Sequence, residues 1–251
     1  TTEIYTLSLH DALPILGQEL GRRAAALAPG ELLGKAGRND LTARSLQILR
    51  EFQVLHAEDP MAAEACFSLA SGWTSLGRWR EALEWAGAGG RRYAESMWRD
   101  ELRYLEGYAL FALGEYERAL KALGEVAEGS FPDGTGGRAP SESRWQALFL
   151  AGQIHQARGD RGAAEECYGR VADRFHEAAR SLEFLRRRSL ELPELTRLEP
   201  GRAGEVELKW RNLPEAVVRV YKVDLMRLYT LEKSLSGIGG IRLAGIKPHA
   251  E

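Results

Sequence analysis

The sequence predicts a mainly α-helical solenoid followed by a short β-rich segment. Three stretches of the 251-residue chain, at 65–83, 103–120 and 148–168, share one pattern. Each reads as an apolar-periodic helix, a short turn containing glycine, and a second apolar-periodic helix. Repeats of this kind are typical of stacked helix pairs, because a single pair cannot bury its apolar face alone.

Composition and charge narrow the classes of partner. The net charge is -2 and basic residues are spread among acidic ones, so we expect no nucleic-acid partner. We also expect no membrane span, because no apolar run approaches the roughly 18 residues that a spanning helix needs. Cys66 and Cys167 are predicted to be buried apolar side chains, since no CxxC spacing supports a metal site or a disulfide.

The first fifteen residues, TTEIYTLSLHDALPI, do not read as part of a domain. One choice of codons for them reproduces the common short-read sequencing adapter, and they resemble translated adapter. The alternative is an amphipathic strand, because IYTLSLH alternates. The adapter resemblance implies that the native N-terminus is missing and that His10 and Asp11 have no function.

The three repeats align on Gly77, Gly114 and Gly159. A small residue lies seven positions before each glycine and an alanine lies five positions after it. These structural positions are Ala70, Gly107 and Gly152 before the turns, and Ala82, Ala119 and Ala164 after them. This register resembles the tetratricopeptide family, in which the glycine ends the first helix and the small residues let the two helices cross closely.

The glycines are 37 and 45 residues apart, against a repeat of about 34 in that family. We attribute the first excess to a longer second helix and the second to a Gly/Pro/Ser-rich loop at 129–141. An earlier pair is predicted to precede the three repeats. Its second helix would begin at a cap formed by Asn39 and Asp40 and end at Pro60, and its first helix would lie within 16–35.

The tetratricopeptide resemblance implies a concave groove lined by positions 2, 5, 9 and 12 of each repeat. The candidate groove residues are Phe67, Ser71, Tyr104, Tyr108, Phe111, Phe149 and Gln153. Aromatic side chains suit recognition of a peptide or partner segment. They could instead pad the seams between repeats, and we leave both readings open. Arg103 and Arg144 lie near the groove, but charges on helix faces are usually solvated.

The C-terminal piece has a different pattern. Val206, Leu208 and Trp210 alternate with polar residues as in a strand, Val217 to Val223 forms a second β-rich run, 225–235 has helical spacing, and 237–248 holds a third possible strand. The stretch from Tyr221 to Tyr229, with the later LAGIKP, resembles the start of a β-domain in bacterial proteins related to alpha-2-macroglobulin. That resemblance implies a location in the cell envelope or periplasm; without it, we expect a cytoplasmic protein. We expect adapter at 1–15, repeats at 16–184, a linker at 185–204 and a truncated β-sandwich-like segment at 205–251.

No catalytic motif accompanies these features. The histidines at 10, 56, 155, 176 and 249 fit no metal spacing, and neither a phosphate-binding loop with GK[ST] nor a G-x-S-x-G elbow occurs. The sequence therefore predicts a non-enzymatic protein-interaction scaffold without cofactor or metal. Two alternatives remain: an envelope protein whose repeats precede a macroglobulin-like protease trap, and a non-catalytic part of a larger enzyme.

Overall fold

The computed structural model describes residues 9–26, 32–193, 205–232 and 247–250. The chain divides into two compact units, Thr1–Leu185 and Arg186–Glu251. The helices of the first unit are α1 Leu9–Ala26, α2 Leu32–Leu55, α3 Ala62–Ser75, α4 Trp79–Arg92, α5 Arg99–Ala112, α6 Tyr116–Glu128, α7 Arg144–Ala157, α8 Arg161–Gly169 and α9 His176–Arg186. A hairpin of β1 (Ser130–Pro132) and β2 (Arg138–Pro140) lies between α6 and α7.

Helices α1 to α8 stack as consecutive pairs. Each helix packs against the next along the chain, and the first helices of successive pairs, α1 with α3, α3 with α5 and α5 with α7, also contact one another. This arrangement places the first helices side by side on one surface. The predicted tetratricopeptide-type helical solenoid is therefore confirmed as the fold class.

The core runs between the pairs as a chain of apolar clusters. Leu110 of α5, Leu123 and Val126 of α6, and Leu150 and Ile154 of α7 form one such cluster. Neighbouring clusters join α2 to α3, α3 and α4 to α5, and α7 to α8 and α9. Burying one large aliphatic side chain contributes about 1.5–3 kcal/mol, so each pair depends on its neighbours for stability.

Glycine ends the first helix of each repeat with a positive φ. The φ angles are 70° at Gly77, 78° at Gly114 and 77° at Gly159. At the first turn the amide of Gly77 donates to the carbonyl of Thr74 at 3.0 Å, and the next amide donates to Trp73 at 2.9 Å. This pair of hydrogen bonds is the Schellman motif, which requires a left-handed residue at this position.

Small residues lie where the helices of a pair cross. A Cβ at position 152 would lie 2.8 Å from the ring of Tyr168, and a Cβ at position 107 would lie 2.9 Å from Leu123. Ala70, like the three alanines that follow the turns, is fully buried. The close crossings therefore leave no room for larger side chains.

The earlier helix pair differs from its prediction. Helix α2 begins at Leu32, so Asn39 and Asp40 lie inside the helix rather than at its cap, and it ends at Leu55, five residues before Pro60. Both side chains are exposed, and Asp40 pairs with Arg44 at 3.1 Å, so their weak helix propensity costs little. Packing along the rest of the helix outweighs that cost.

Helix α1 crosses the boundary that we predicted at residue 15. Residues 9–15 belong to the same helix as residues 16–26, and Pro14 is buried. Residues 1–8 and the predicted interruption at Pro29–Gly30 lie outside the described residues. The helix says nothing about the origin of the DNA, so the adapter origin of residues 1–15 stays a prediction.

The extra residues of the first two repeats lie in connections. Helix α4 has 14 residues and α6 has 13, so the expectation of a longer second helix was wrong; the excess lies in the turn at 93–98. The predicted loop at 129–141 contains the β1–β2 hairpin. The two insertions contact each other, because Met97 lies against Gly134 and Arg138 lies 3.8 Å from Glu95.

The second unit contains little regular structure among its described residues. Strands β3 (Ser189–Glu191) and β4 (Lys209–Arg211) pair antiparallel, α10 spans Leu225–Glu232, and Val220 forms an isolated bridge with Ala250. Strand β3 lies within the predicted linker, and 217–223 forms no named strand. Most of the third predicted strand, at 237–246, lies outside the described residues, so the β-sandwich and the macroglobulin resemblance remain predictions.

Candidate functional site

The predicted groove residues lie on the first helices α3, α5 and α7. Within each helix they are spaced by three or four residues, which places them on one face. Because α3 contacts α5 and α5 contacts α7, these faces adjoin one another. All seven candidate side chains are partly exposed.

A cleft of about 640 Å³ opens beside α3. Phe67 and Ser71 line it together with Gln18 and Arg22 of α1 and Arg38 of α2. Its volume is within the usual range for a ligand pocket. Phe67 stacks on Trp98, which precedes α5, with ring centroids 4.8 Å apart and an angle of 21° between the planes. The stack therefore joins the cleft to the start of α5.

Three aromatic side chains continue the surface along α5. The rings of Tyr104 and Tyr108 lie 6.5 Å apart, and Tyr108 meets Trp79 of α4 edge-on at 5.8 Å. Phe111 contacts Tyr116 at 6.2 Å. Burial raises the pKa of the Tyr104 phenol, and the neighbouring Tyr108 and Glu101 raise it further. The tyrosines thus present apolar rings that are only partly covered by protein.

On α7, the candidate aromatic side chain packs more closely against its neighbours than those on α5 do. Phe149 lies 5.4 Å from Phe175 and 5.9 Å from Tyr168, so its ring packs toward α8 and the segment before α9. These contacts match the seam-padding alternative for Phe149. Gln153 lies one turn further along the same face and is partly exposed.

Glu101 lies one helical turn before Tyr104 and is held by a neighbouring repeat. The hydroxyl of Ser143, which precedes α7, is 3.1 Å and 3.2 Å from the two carboxylate oxygens. Burial raises the pKa of Glu101, Asp100 and Glu142 raise it further, and only the hydrogen bond from Ser143 lowers it. The start of α5 is therefore partly buried and negatively charged, and it lies next to the aromatic side chains of α5.

The two arginines near the groove are already engaged. Arg103 pairs with Glu106 at 2.6 Å and with Glu125 at 2.8 Å, on a different face of α5 from the tyrosines. Arg144 lies 4.6 Å from the ring centroid of Trp145, which Arg174 also contacts at 4.3 Å. Both arginines thus have partners within the repeats.

Sequence reasoning missed Trp79, Trp98, Glu101 and Ser143. Glu101 was within reach, because it occupies position 2 of its repeat under the same spacing rule that selected Tyr104. Trp98 and Ser143 lie just outside their helices, where the repeat pattern carries no information. Only the packing of neighbouring pairs brings them to the groove.

The described residues also bear on two other kinds of site, a metal centre and a membrane span. There, no group of three or more His, Cys, Asp or Glu residues could hold a metal ion. Within the same ranges, none of the helices is both long and apolar enough to cross a membrane. Cys66 and Cys167 are free thiols, the first buried and the second half-buried, and burial raises the pKa of Cys66 to about 11.

No protein-family model and no curated protein matches this sequence. Among solved structures, it is similar to MamA from Desulfovibrio magneticus, with 15% identity over 69% of this chain and 83% of that chain and a TM-score of 0.50. It is also similar to a tetratricopeptide repeat protein from Parabacteroides merdae, with 14% identity over 68% and 60% of the two chains and a TM-score of 0.47.

At 15% identity, the similarity to MamA concerns the fold alone. The alternation of paired helices, the left-handed turn glycines and the side-by-side first helices give the same architecture independently. The repeat region of this chain is a tetratricopeptide-type helical solenoid.

Proposed function

We propose that this protein is an interaction scaffold that holds a peptide or partner segment in the groove of its first helices. One observation carries the proposal: the Phe67–Trp98 stack borders a 640 Å³ cleft and adjoins the partly exposed Tyr104 and Tyr108. Aromatic anchors beside a concave surface are the usual centres of binding energy in protein recognition. The proposal assigns the chain no catalytic step.

A protein partner suits the groove better than a nucleic acid does. The groove positions of α3, α5 and α7 include Glu64 and Glu101 but neither lysine nor arginine, and the basic residues Arg22 and Arg38 line only the cleft beside α3. Phosphate backbones bind mainly through lysine and arginine, so the groove positions of α5 and α7 offer them no such contact. We therefore propose a peptide or protein as the ligand.

A peptide-array screen with the full chain tests the proposal. We expect a subset of peptides to bind, and we expect Tyr104→Ala combined with Tyr108→Ala to weaken that binding at least tenfold. Tyr229→Ala is the matched control, because Tyr229 is an exposed tyrosine on α10 of the second unit. Ser71→Arg is a second variant, since it fills the cleft without removing a buried group. Circular dichroism establishes that each variant is folded.

Two results would contradict the proposal. One is uniform absence of binding across the array. The other is binding that persists unchanged in both the double tyrosine variant and the folded Ser71→Arg variant, because the ligand would then lie elsewhere on the molecule.

A further inference from the structure

We propose that the β1–β2 hairpin positions the aromatic anchor of the groove, which is the stacked pair of Phe67 and Trp98. The tip of the hairpin, residues 133–137, holds Met97 in place and thereby fixes the backbone from which Trp98 reaches Phe67. Met97 is thus a positioning residue, because it acts through Trp98. The inference rests on the proposed function, and it adds that the hairpin governs how strongly the groove selects a partner with an aromatic or large aliphatic side chain.

Trp98 belongs to a connection between helices. It immediately precedes α5, and its side chain both lines the 640 Å³ cleft and stacks on Phe67 of the preceding repeat at 4.8 Å. The connection 93–98 joins α4 to α5. Connections are usually more mobile than the helices they join, so a side chain placed there forms a precise anchor only when the connection is held.

Hydrogen bonds within the connection order its second half. The amide of Ser96 donates to the carbonyl of Tyr93 at 3.0 Å, and the amide of Trp98 donates to the hydroxyl of Ser96 at 3.2 Å. The amide of Arg99 donates to the carbonyl of Ser96 at 3.1 Å. Met97 lies inside this turn, and its side chain is 55% exposed. The hydrogen bonds set the shape of the turn, whereas its position depends on contact with another element.

The hairpin supplies such a contact. A Cβ at Gly134 would lie 3.3 Å from the sulfur and 3.5 Å from the Cβ of Met97, so the backbone of the tip lies directly against this side chain. Arg138 lies 3.8 Å from Glu95, but both side chains are more than half exposed, so this ion pair contributes little. The contact with Met97 therefore provides most of the coupling between the hairpin and the connection.

The hairpin itself is anchored in the core of the repeats. Phe131 of β1 packs against the cluster of α5, α6 and α7, while β1 contacts α5 and β2 contacts α6. At the tip, one carboxylate oxygen of Asp133 accepts from the amides of Thr135 and Gly137, each at 2.9 Å. The tip therefore has a defined shape on a packed base, and both properties are needed to hold Met97.

An anchor that is held before binding increases affinity. Ordering a mobile side chain on binding costs free energy, and an anchor that is already ordered avoids this cost. Well-packed aromatic anchors are also the usual centres of binding energy. Loosening Trp98 should therefore weaken those partners that place an apolar side chain on it, and it should spare partners that do not.

Shortening the tip tests the positioning without any ligand. Pro132 pairs with Arg138, so replacing 133–137 with Asn-Gly keeps both strands and closes them with a two-residue turn that does not extend to Met97. We expect hydrogen–deuterium exchange on the full chain to become at least about fivefold faster at the three hydrogen-bonded amides of the connection, those of Ser96, Trp98 and Arg99.

Two point variants accompany the shortened tip. Met97→Ala removes the contact and leaves the hairpin whole, and it should accelerate exchange at the same three amides. Gly136→Asn is the matched control, because it changes the same tip at a positive φ with open space around it, and asparagine tolerates that backbone. The control should leave exchange unchanged. Circular dichroism establishes that each variant is folded.

The peptide array measures the effect on selectivity. Each peptide is printed twice, once unchanged and once with its aromatic and large aliphatic residues replaced by glycine. We expect the shortened tip and Met97→Ala to reduce the ratio of the two signals about three- to tenfold. In a Trp98→Leu background neither change should reduce the ratio further, because residues that act through one another are not additive.

The outcomes separate this inference from the proposed function. If exchange is unchanged in both the shortened tip and Met97→Ala, the hairpin does not hold the anchor, and the inference is overturned whatever the array shows. If exchange rises but the ratio for bound peptides stays the same, or falls further in the Trp98→Leu background, the link to selectivity through Trp98 is overturned. If the unmodified protein binds no peptide while exchange rises as expected, the proposed function fails and the positioning of Trp98 stands.

Discussion

The two compact units treat their apolar side chains differently. In the repeats, Leu110, Leu123 and Ile154 are almost completely buried, each against a neighbouring helix pair. In the second unit, Trp210 is 60% exposed and Val217 is 58% exposed, although both lie in runs that read as half-buried strands. Apolar sequence alone therefore does not create a core; a neighbouring element must supply the other wall.

The difference follows from how each architecture obtains its partners. A helix pair in a solenoid buries its face against the next pair along the chain, so a few consecutive repeats suffice. A two-stranded ribbon such as β3–β4 leaves both of its edges unpaired, and two strands are only marginally stable unless another layer packs against one face. Burial in the described part of the second unit is correspondingly slight.

A large-to-small substitution in each unit tests this difference in burial with the largest expected effect. Leu123→Ala removes a fully buried side chain from the α5–α6–α7 cluster, and we expect the free energy of unfolding to fall by about 2–5 kcal/mol. Val218→Ala in the second unit removes a half-exposed side chain, and we expect a change within about 0.5 kcal/mol. Urea denaturation measures both; equal effects would mean that the second unit has a core of its own.

The pH dependence of stability tests whether Cys66 is buried in the repeats. Burial disfavours the thiolate of Cys66 and raises its pKa from the ordinary 9.0 to about 11. The unfolded chain therefore loses this proton first, and stability should fall as pH rises from 9 to 11, by up to about 2.7 kcal/mol from this group. Cys66→Ala should reduce the slope of unfolding free energy against pH over that window. An unchanged slope would assign the loss to other groups.

Gly152 tests how closely the helices of the third repeat cross. Gly152→Ala would place a Cβ 2.8 Å from the buried ring of Tyr168, and we expect a loss of about 1–3 kcal/mol in thermal or urea unfolding. Gly162→Ala is the matched control, because a Cβ there meets nothing within 4 Å. Gly162 lies in the first turn of α8, where alanine should stabilise by up to about 1 kcal/mol. Equal responses would show that α7 and α8 can move apart freely.

The turn glycines allow a test of backbone conformation, with the smallest expected effect. Gly114 has a φ of 78° and open space around it, so Gly114→Ala should cost about 1 kcal/mol through backbone conformation alone. Gly124 lies inside α6, also with open space, and Gly124→Ala should stabilise by up to about 1 kcal/mol. Opposite signs in calorimetric unfolding would attribute the difference to φ; the same sign at both sites would contradict this account.

Much of the repeat architecture could be predicted from the spacing of glycine, alanine and large apolar residues. The helix boundaries of the earlier pair could not, because exposed Asn39 and Asp40 have local cap propensity that packing elsewhere on α2 overrides. The sequence predicts only a loop where Ser130–Pro132 and Arg138–Pro140 form a hairpin, because Gly and Pro mark turns without showing which flanking residues pair.

The sequence by itself determined the repeat register, because turn glycines and crossing positions depend on contacts within one helix pair. Gly77, Gly114 and Gly159 each require a left-handed backbone that local chemistry alone dictates. Only the tertiary structure placed Trp98 on Phe67 and joined Ser143 to Glu101 across 42 residues of chain. Such contacts depend on how one helix pair stacks on the next, and no local spacing in the sequence encodes contacts between residues so far apart in the chain.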